Sequence, residues 1–119
     1  MTRIIIFLTL VLNIYAFAKE SLVTCDLIRI VDGDTAIFIC ENWQKAERVR
    51  LTGYNSPEKC QPGFEEATEW LTQTLTQGTI TLNVRARDQY RRIVADVFVE
   101  GVRVKAPKQH RAKRIKCNN

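Results

Sequence analysis

The residues best equipped for chemistry in this 119-residue chain are two aspartates, two arginines and a glutamate, scattered along the sequence. Asp32 and Asp34 flank Gly33 in the stretch Asp32-Gly33-Asp34-Thr35, Arg50 lies between Val49 and Leu51, Glu58 follows Pro57, and Arg92 precedes Ile93. Carboxylate and amide oxygens are hard ligands that suit a hard cation such as calcium. A guanidinium grips two phosphate oxygens through paired donors, a geometry lysine cannot offer. A carboxylate within reach of a water can serve as its base. Such parts suit displacement at a phosphodiester, whose transition state carries extra negative charge that fixed donors stabilise. The single histidine, His110, lies within the last ten residues, so neither a His–Cys zinc centre nor a paired-histidine site can form in the body of the chain. Singly, each residue has a plainer explanation: a turn for Asp32 to Thr35, solvated charges for Arg50 and Arg92, a loop for Glu58. Only their conjunction points to chemistry.

Positioning these residues takes secondary structure, and the patterning supplies it. Leu22 to Val31 is rich in β-branched residues and runs into Asp32-Gly33, a hairpin signal, with Thr35 to Cys40 as the returning strand. Arg48-Val49-Arg50-Leu51 alternates, which puts Val49 and Leu51 on one face and both arginines on the other. Gly53 and Pro57 break that strand. Phe64, Ala67, Leu71 and Leu75 recur at helical spacing, with Trp70 at the margin, and predict a helix over 64–77 stopped by Gly78. Strands are expected at 79–86 and 93–99, with a short one at 102–104. The length suits one domain, and 45% apolar with 26% charged residues excludes wholesale disorder. The order of elements fits a mainly β (α+β) fold, a five-stranded OB-type barrel closed against one helix.

The ends of the chain differ from its middle. Residues 1–18 read as an export signal: Arg3 opens it, Ile4 to Phe17 form an apolar run, and Ala16-Phe17-Ala18 is a cleavage site. Cleavage after Ala18 makes the mature protein periplasmic or secreted, without stable membrane association; an uncleaved anchor is the alternative reading. All four cysteines lie beyond that point, an even number in an oxidising compartment. They allow three pairings. The expected one joins Cys25 to Cys40 across the hairpin arms and Cys60 to Cys117. Residues 105–119 hold six basic and no acidic side chains, a tail that either attracts phosphate or merely solubilises. The domain proper is then 19–104, and a monomer is expected.

Three stretches together carry a family resemblance: Ile30-Val31-Asp32-Gly33-Asp34-Thr35, Val49-Arg50-Leu51-Thr52-Gly53-Tyr54-Asn55-Ser56-Pro57-Glu58, and Asp88-Gln89-Tyr90-Arg91-Arg92-Ile93-Val94-Ala95. In this order they resemble the motifs of the staphylococcal nuclease (thermonuclease) family, a D-G-D-T hairpin, an R-L-x-G-I-D-x-P-E strand and loop, and a D-x-Y-G-R-x-x-A strand opening. Gly63-Phe64-Glu65-Glu66-Ala67 is similar to the family's helix opening. The resemblance implies an OB-type barrel and a calcium-dependent phosphodiesterase acting on DNA or RNA, commonly leaving 3′-phosphate ends. Carried over by position, Asp34, Asn55 and the carbonyl of Ser56 would hold one calcium ion, with Asp32 behind them. Arg50 and Arg92 would grip the scissile phosphate, and Glu58 would act on the attacking water. Asp88 and Tyr90 would shape the phosphate pocket.

Three departures from the family pattern bear on activity. Asn55 stands where the family usually has aspartate and removes one negative charge, so weaker calcium binding and reduced activity are expected. Arg91 replaces a glycine beside Arg92, which either adds phosphate attraction or distorts the turn. The family's C-terminal helices are expected to have no counterpart after Val104, so less apolar surface would be buried, a loss for which the disulfides could compensate. The alternative function is a nucleic-acid-binding barrel with weakened or lost catalysis, on which Tyr54 and Tyr90 could stack bases. An exported interaction protein is a third class, disfavoured because packing alone has no use for Arg50, Glu58 and Arg92 together.

Overall fold

Strand pairing in the computed structural model, which describes residues 21–113 and Cys117, follows the predicted order closely. The expected export signal lies outside the described residues, as do Arg114 and Lys116 of the basic tail. The elements are β1 (Val23–Ile30), β2 (Thr35–Cys40), β3 (Glu47–Leu51), α1 (Phe64–Leu75), β4 (Ile80–Arg87), β5 (Ile93–Val99), β6 (Val102–Arg103) and a 3-10 turn at Lys108–His110. Among the described residues no helix is long and apolar enough to cross a membrane.

Strands β3, β2, β1, β4 and β5 lie side by side, all neighbours antiparallel, and β3 also pairs with β5 in parallel. That pairing closes a five-stranded barrel, as expected, and leaves the two-residue β6 on the far end of β5. Irregularities in β1 between Leu27 and Arg29, and in β4 between Val84 and Ala86, bend the strands around so small a circumference. Alternation along β3 is as the sequence indicates: Val49 and Leu51 are buried, while Arg48 is exposed. Phe38, Leu82 and Val97 join them inside, with Leu71 and Leu75 supplied by α1 as the plug.

Two details of α1 differ from expectation. The helix ends at Leu75 rather than at 77, with Thr76 as its cap. Gly78 does not adopt the left-handed conformation of a helix-stopping glycine; the Glu100 side chain occupies the place its Cβ would take and accepts the Thr79 N–H at 2.7 Å. The helix therefore stops without a glycine cap.

The segment after β6 is bound to the barrel. Val104 and Ala106 are buried in the core, His110 stacks on Trp70 of α1 at 6.1 Å, and Trp70 meets Tyr54 edge-on at 6.0 Å. Both expected disulfides are present: Cys25–Cys40 at directly opposed positions of β1 and β2, and Cys60–Cys117 across 57 residues of sequence.

Candidate active site

Barrel closure brings the two arginines together. Parallel pairing matches Val49 with Ile93 and Arg50 with Val94, so Arg50 and Arg92 emerge beside each other at one end of the β3–β5 seam. The β1–β2 hairpin turn supplies Asp32 and Asp34 from the neighbouring strand, since β2 pairs with β3 in a register that sets Thr35 against Arg50. The loop after β3 then folds back over the turn, because Ser56 N–H donates to Asp34 Oδ2 at 2.8 Å and Tyr54 O–H donates to the Gly33 carbonyl at 2.7 Å. Gly33 makes that fold possible. It is not left-handed; rather, a Cβ there would lie 2.7 Å from the Ser56 Cβ and 2.8 Å from the Ala67 Cβ.

The result is a pocket of about 390 Å³ lined by Asp32, Asp34, Arg50, Asn55, Ser56, Glu58 and Arg92, together with Pro57, Gln61 and Ala112. Every residue assigned from sequence to catalysis or to the cation therefore reaches one hollow. Asp88 does not line it. Its carboxylate accepts the N–H groups of Tyr90 and Arg92 and the Arg92 Nε at 2.8 Å, so it forms the turn and aims Arg92. Tyr90 is 69% exposed, with the Arg92 guanidinium 5.3 Å from its ring centre. Tyr54, read from sequence as a possible stacking platform, is buried and spends its hydroxyl on Gly33, which removes it from any base-binding role.

Charge in the pocket is tightly managed. Arg50 donates to the carbonyls of Leu51 and Tyr54, while its Nη2 lies 2.5 Å from Asn55 Oδ1 and 3.3 Å from Asp34 Oδ2. Asp34 also accepts from Thr35 Oγ1 at 2.9 Å. Burial, with the Asp34 carboxylate alongside, pushes the Asp32 carboxyl up to about 6. Burial likewise raises the Tyr54 hydroxyl well above its ordinary range, helped by the charge on Asp34. In Asp88, burial is outweighed by the backbone and side-chain bonds from Arg92, which hold the carboxyl below its usual value. Arg92 keeps both terminal nitrogens without a partner among the described residues. Glu58 stands exposed at the rim, its N–H donating to Gln61 Oε1 at 2.7 Å and its Oε2 3.4 Å from Cys117 Sγ.

The donor set suits a small hard cation. One nitrogen of Arg50 already reaches both Asn55 Oδ1 and Asp34 Oδ2, so these two oxygens converge on a single point, with the reluctantly ionised Asp32 behind them.

Two supporting residues, Gln61 and Ala112, escape the sequence reading, and a third, Tyr54, is read there for a different role. Gln61 fixes the Glu58 backbone, Tyr54 ties the loop to the hairpin, and Ala112 donates its N–H to the Asn55 carbonyl at 2.7 Å. Nothing in residue type marks Ala112, because its contribution is a backbone group.

The chain is similar in sequence to several known proteins. Curated relatives include an uncharacterized endonuclease of Haemophilus influenzae, 27% identical over 78% of this chain and 52% of its own length. An uncharacterized endonuclease of Escherichia coli is 33% identical over 60% of this chain and 46% of its own. A probable endonuclease of Aspergillus niger is 42% identical over 43% of this chain and 21% of its own. The chain thus spans about half the length, or less, of these relatives. Residues 48–116 match the description staphylococcal nuclease homologue, from the strand that carries Arg50, through the Glu58 loop and the Arg92 turn, into the segment that returns to Asn55. With more than half of its length matched, and that half holding the seam of the pocket, the chain belongs to the staphylococcal nuclease homologue family.

Proposed function

We propose that this protein is an exported, calcium-dependent nuclease that hydrolyses phosphodiester bonds of DNA or RNA. The observation that carries the reading is the convergence of Arg50, Glu58 and Arg92 with Asp32, Asp34 and Asn55 on one pocket. Two disulfides support an oxidising compartment. The relatives above are named as endonucleases.

Asp34, Asn55 and the Ser56 carbonyl would hold the calcium, and the ion would supply Lewis-acid stabilisation at the phosphate oxygens. Arg92, held at Nε by Asp88, presents its terminal nitrogens as a fork for two phosphate oxygens. Arg50 has its guanidinium fixed by two backbone carbonyls, so little reorganisation is needed as charge builds on the phosphate. Glu58, whose carboxylate accepts no N–H or O–H bond among the described residues, aligns the attacking water and takes its proton. Asn55 in place of an acid leaves one charge fewer around the ion and sets a higher calcium requirement. Phosphate contacts carry no base information, so cutting is expected to show little sequence preference. We take the active form to be a monomer, because all these groups come from one chain.

The test is incubation of the oxidised mature protein with plasmid and single-stranded DNA, with calcium or with chelator, beside Glu58→Ala. Cutting is expected only with the cation, and the substitution is expected to reduce it by about 10²–10⁴. Undiminished cutting in chelator removes the metal role. Retention of DNA without cutting by the wild type supports instead a binding module that has lost catalysis through Asn55.

A further inference from the structure

A second hollow of about 610 Å³ opens beside the first and shares Glu58 and Arg92 with it; its other walls are Arg48, Tyr90 and Arg91. The two differ in sign. The first holds three carboxylates (Asp32, Asp34, Glu58) against two arginines, a formal excess of one negative charge that suits a cation. The second sets three arginines (Arg48, Arg91, Arg92) against Glu58, a formal excess of two positive charges that suits an anion. Arg48 and Arg91 are exposed, and neither guanidinium has a partner among the described residues.

Backbone geometry explains the placement. Arg48 and Arg50 lie on the same face of β3, two residues and about 6.6 Å apart, the scale of one nucleotide along an extended strand. Arg91 and Arg92 are adjacent in sequence and line the same hollow from the turn before β5. Arg91 has φ of 65°, a left-handed conformation that is uncommon for a residue with a Cβ. Its N–H bonds the Asp88 carbonyl at 3.1 Å, so the turn that aims Arg92 forms despite that conformation. Arg91 thereby brings a guanidinium to the second hollow while Arg92 stays bonded to Asp88.

We propose that Arg48 and Arg91 form a subsite for the phosphate one nucleotide along from the scissile one on the same strand. The proposal rests on the nuclease reading for the identity of the first phosphate. With two phosphates held, the protein discriminates by chain length: a substrate with several consecutive phosphates is preferred over a dinucleoside monophosphate, which has only the scissile one.

The test uses the oxidised mature protein, with Arg48→Gln and Arg91→Gly combined. Both changes are compatible with the backbone, since Arg48 is exposed and glycine accepts φ of 65°. The ratio of kcat/KM for a thymidine octanucleotide to that for the dinucleoside monophosphate is expected to fall about tenfold, the scale of losing about 1.4 kcal/mol of binding. Octanucleotide affinity is then measured by fluorescence anisotropy against salt in a Glu58→Gln background, which needs no catalysis. The log–log slope is expected to become shallower by about 0.7 on losing one single-strand phosphate contact. Wild-type cutting with an unchanged ratio and slope overturns the subsite while leaving the nuclease intact. Binding whose slope depends on Arg48 and Arg91, in a protein that cuts nothing, upholds the subsite and overturns the catalytic reading.

Discussion

The two walls of the pocket are held in opposite ways. On the Arg92 side, everything is local: Asp88 organises Tyr90, Arg91 and Arg92 through bonds spanning at most four residues, and the turn delivers Arg92 already aimed. On the Glu58 side, local bonds from Gln61 and Arg50 are not the whole support, and long-range ties are added. That loop is pinned to the hairpin by Tyr54 and Ser56, to the C-terminal segment by Asn55 and Cys60, and at its start by Thr52, whose hydroxyl donates to Asp96 of β5. A short-range device survives insult elsewhere in the molecule. A long-range one reports on the whole fold, so Glu58 should be the vulnerable half of this site and Arg92 the robust half.

The strongest way to break this contrast is to cut the Cys60–Cys117 bond. Closing a loop of 57 residues stabilises the folded chain by roughly 4 kcal/mol in the chain-entropy picture, so Cys60→Ser with Cys117→Ser should lower the melting temperature by roughly 15–30 °C. Thermal melts of the oxidised parent and the double variant check it. Below both melts, the variant should also cut more slowly, because Glu58 sits two residues from Cys60. A melt that moves by only a few degrees would show that Ala106, the His110–Trp70 stack and the Ala112 bond suffice to hold the segment.

Next in size is Gly33→Ala. The added methyl has no room against Ser56 and Ala67, and forcing it in costs about 1–3 kcal/mol. The hairpin turn and the Glu58 loop must then part, which separates Asp34 from Ser56. Both a lower melting temperature and a raised calcium requirement are expected, the second read from cutting rate against calcium concentration. A destabilised variant with an unaltered calcium curve would show that the loop does not depend on this contact for its aim.

What the sequence reveals divides along the same line. Arg92 and its turn are legible because they lie within five consecutive residues, whereas Asp88, expected to shape the phosphate pocket, forms the turn and holds the Arg92 Nε instead. The barrel strands and the inward stripe of α1 are legible because period is a local property. The hairpin disulfide follows from the hairpin. Gly33 is legible as a turn residue, yet its reason is the approach of Ser56 and Ala67, which no local pattern encodes. Tyr54 reads as a stacking candidate because an aromatic beside an active loop looks available, whereas burial and the Gly33 carbonyl commit it elsewhere. The Ala112 bond to Asn55 is invisible in sequence, since any residue carries that N–H. Asp96 looks like a strand residue and turns out to gather Arg85, Arg103 and Thr52 around one buried carboxylate.

Asp88→Asn tests the robust half. The neutral amide keeps one acceptor for the turn but loses the charge that holds the Arg92 Nε. The melting temperature should barely move, while cutting should fall about tenfold, far less than the 10²–10³ typical of removing a transition-state donor such as Arg92 itself. Equal losses for Asp88→Asn and Arg92→Ala would mean that Asp88 is indispensable to the aim.

The finest distinction lies in the acid limb of stability. Burial pushes Asp96 up, but bonds from Thr52 and Arg85, with the charges of Arg85 and Arg103, outweigh it and hold the folded carboxyl below its model-peptide value of 3.8. The unfolded chain therefore binds the proton first as pH falls. Stability from this group is fully present above about pH 4 and is lost as pH drops through the folded value. Denaturant unfolding of wild type and Asp96→Asn should differ by a constant amount from pH 7 to about pH 5 and converge below about pH 4. Asp88→Asn should converge with wild type over the same range but from a smaller starting difference, because Asp88 secures a local turn whereas Asp96 anchors the loop that carries Glu58. If the two curves prove alike, the carboxylate that gathers Thr52, Arg85 and Arg103 secures the fold no more than a local turn residue does.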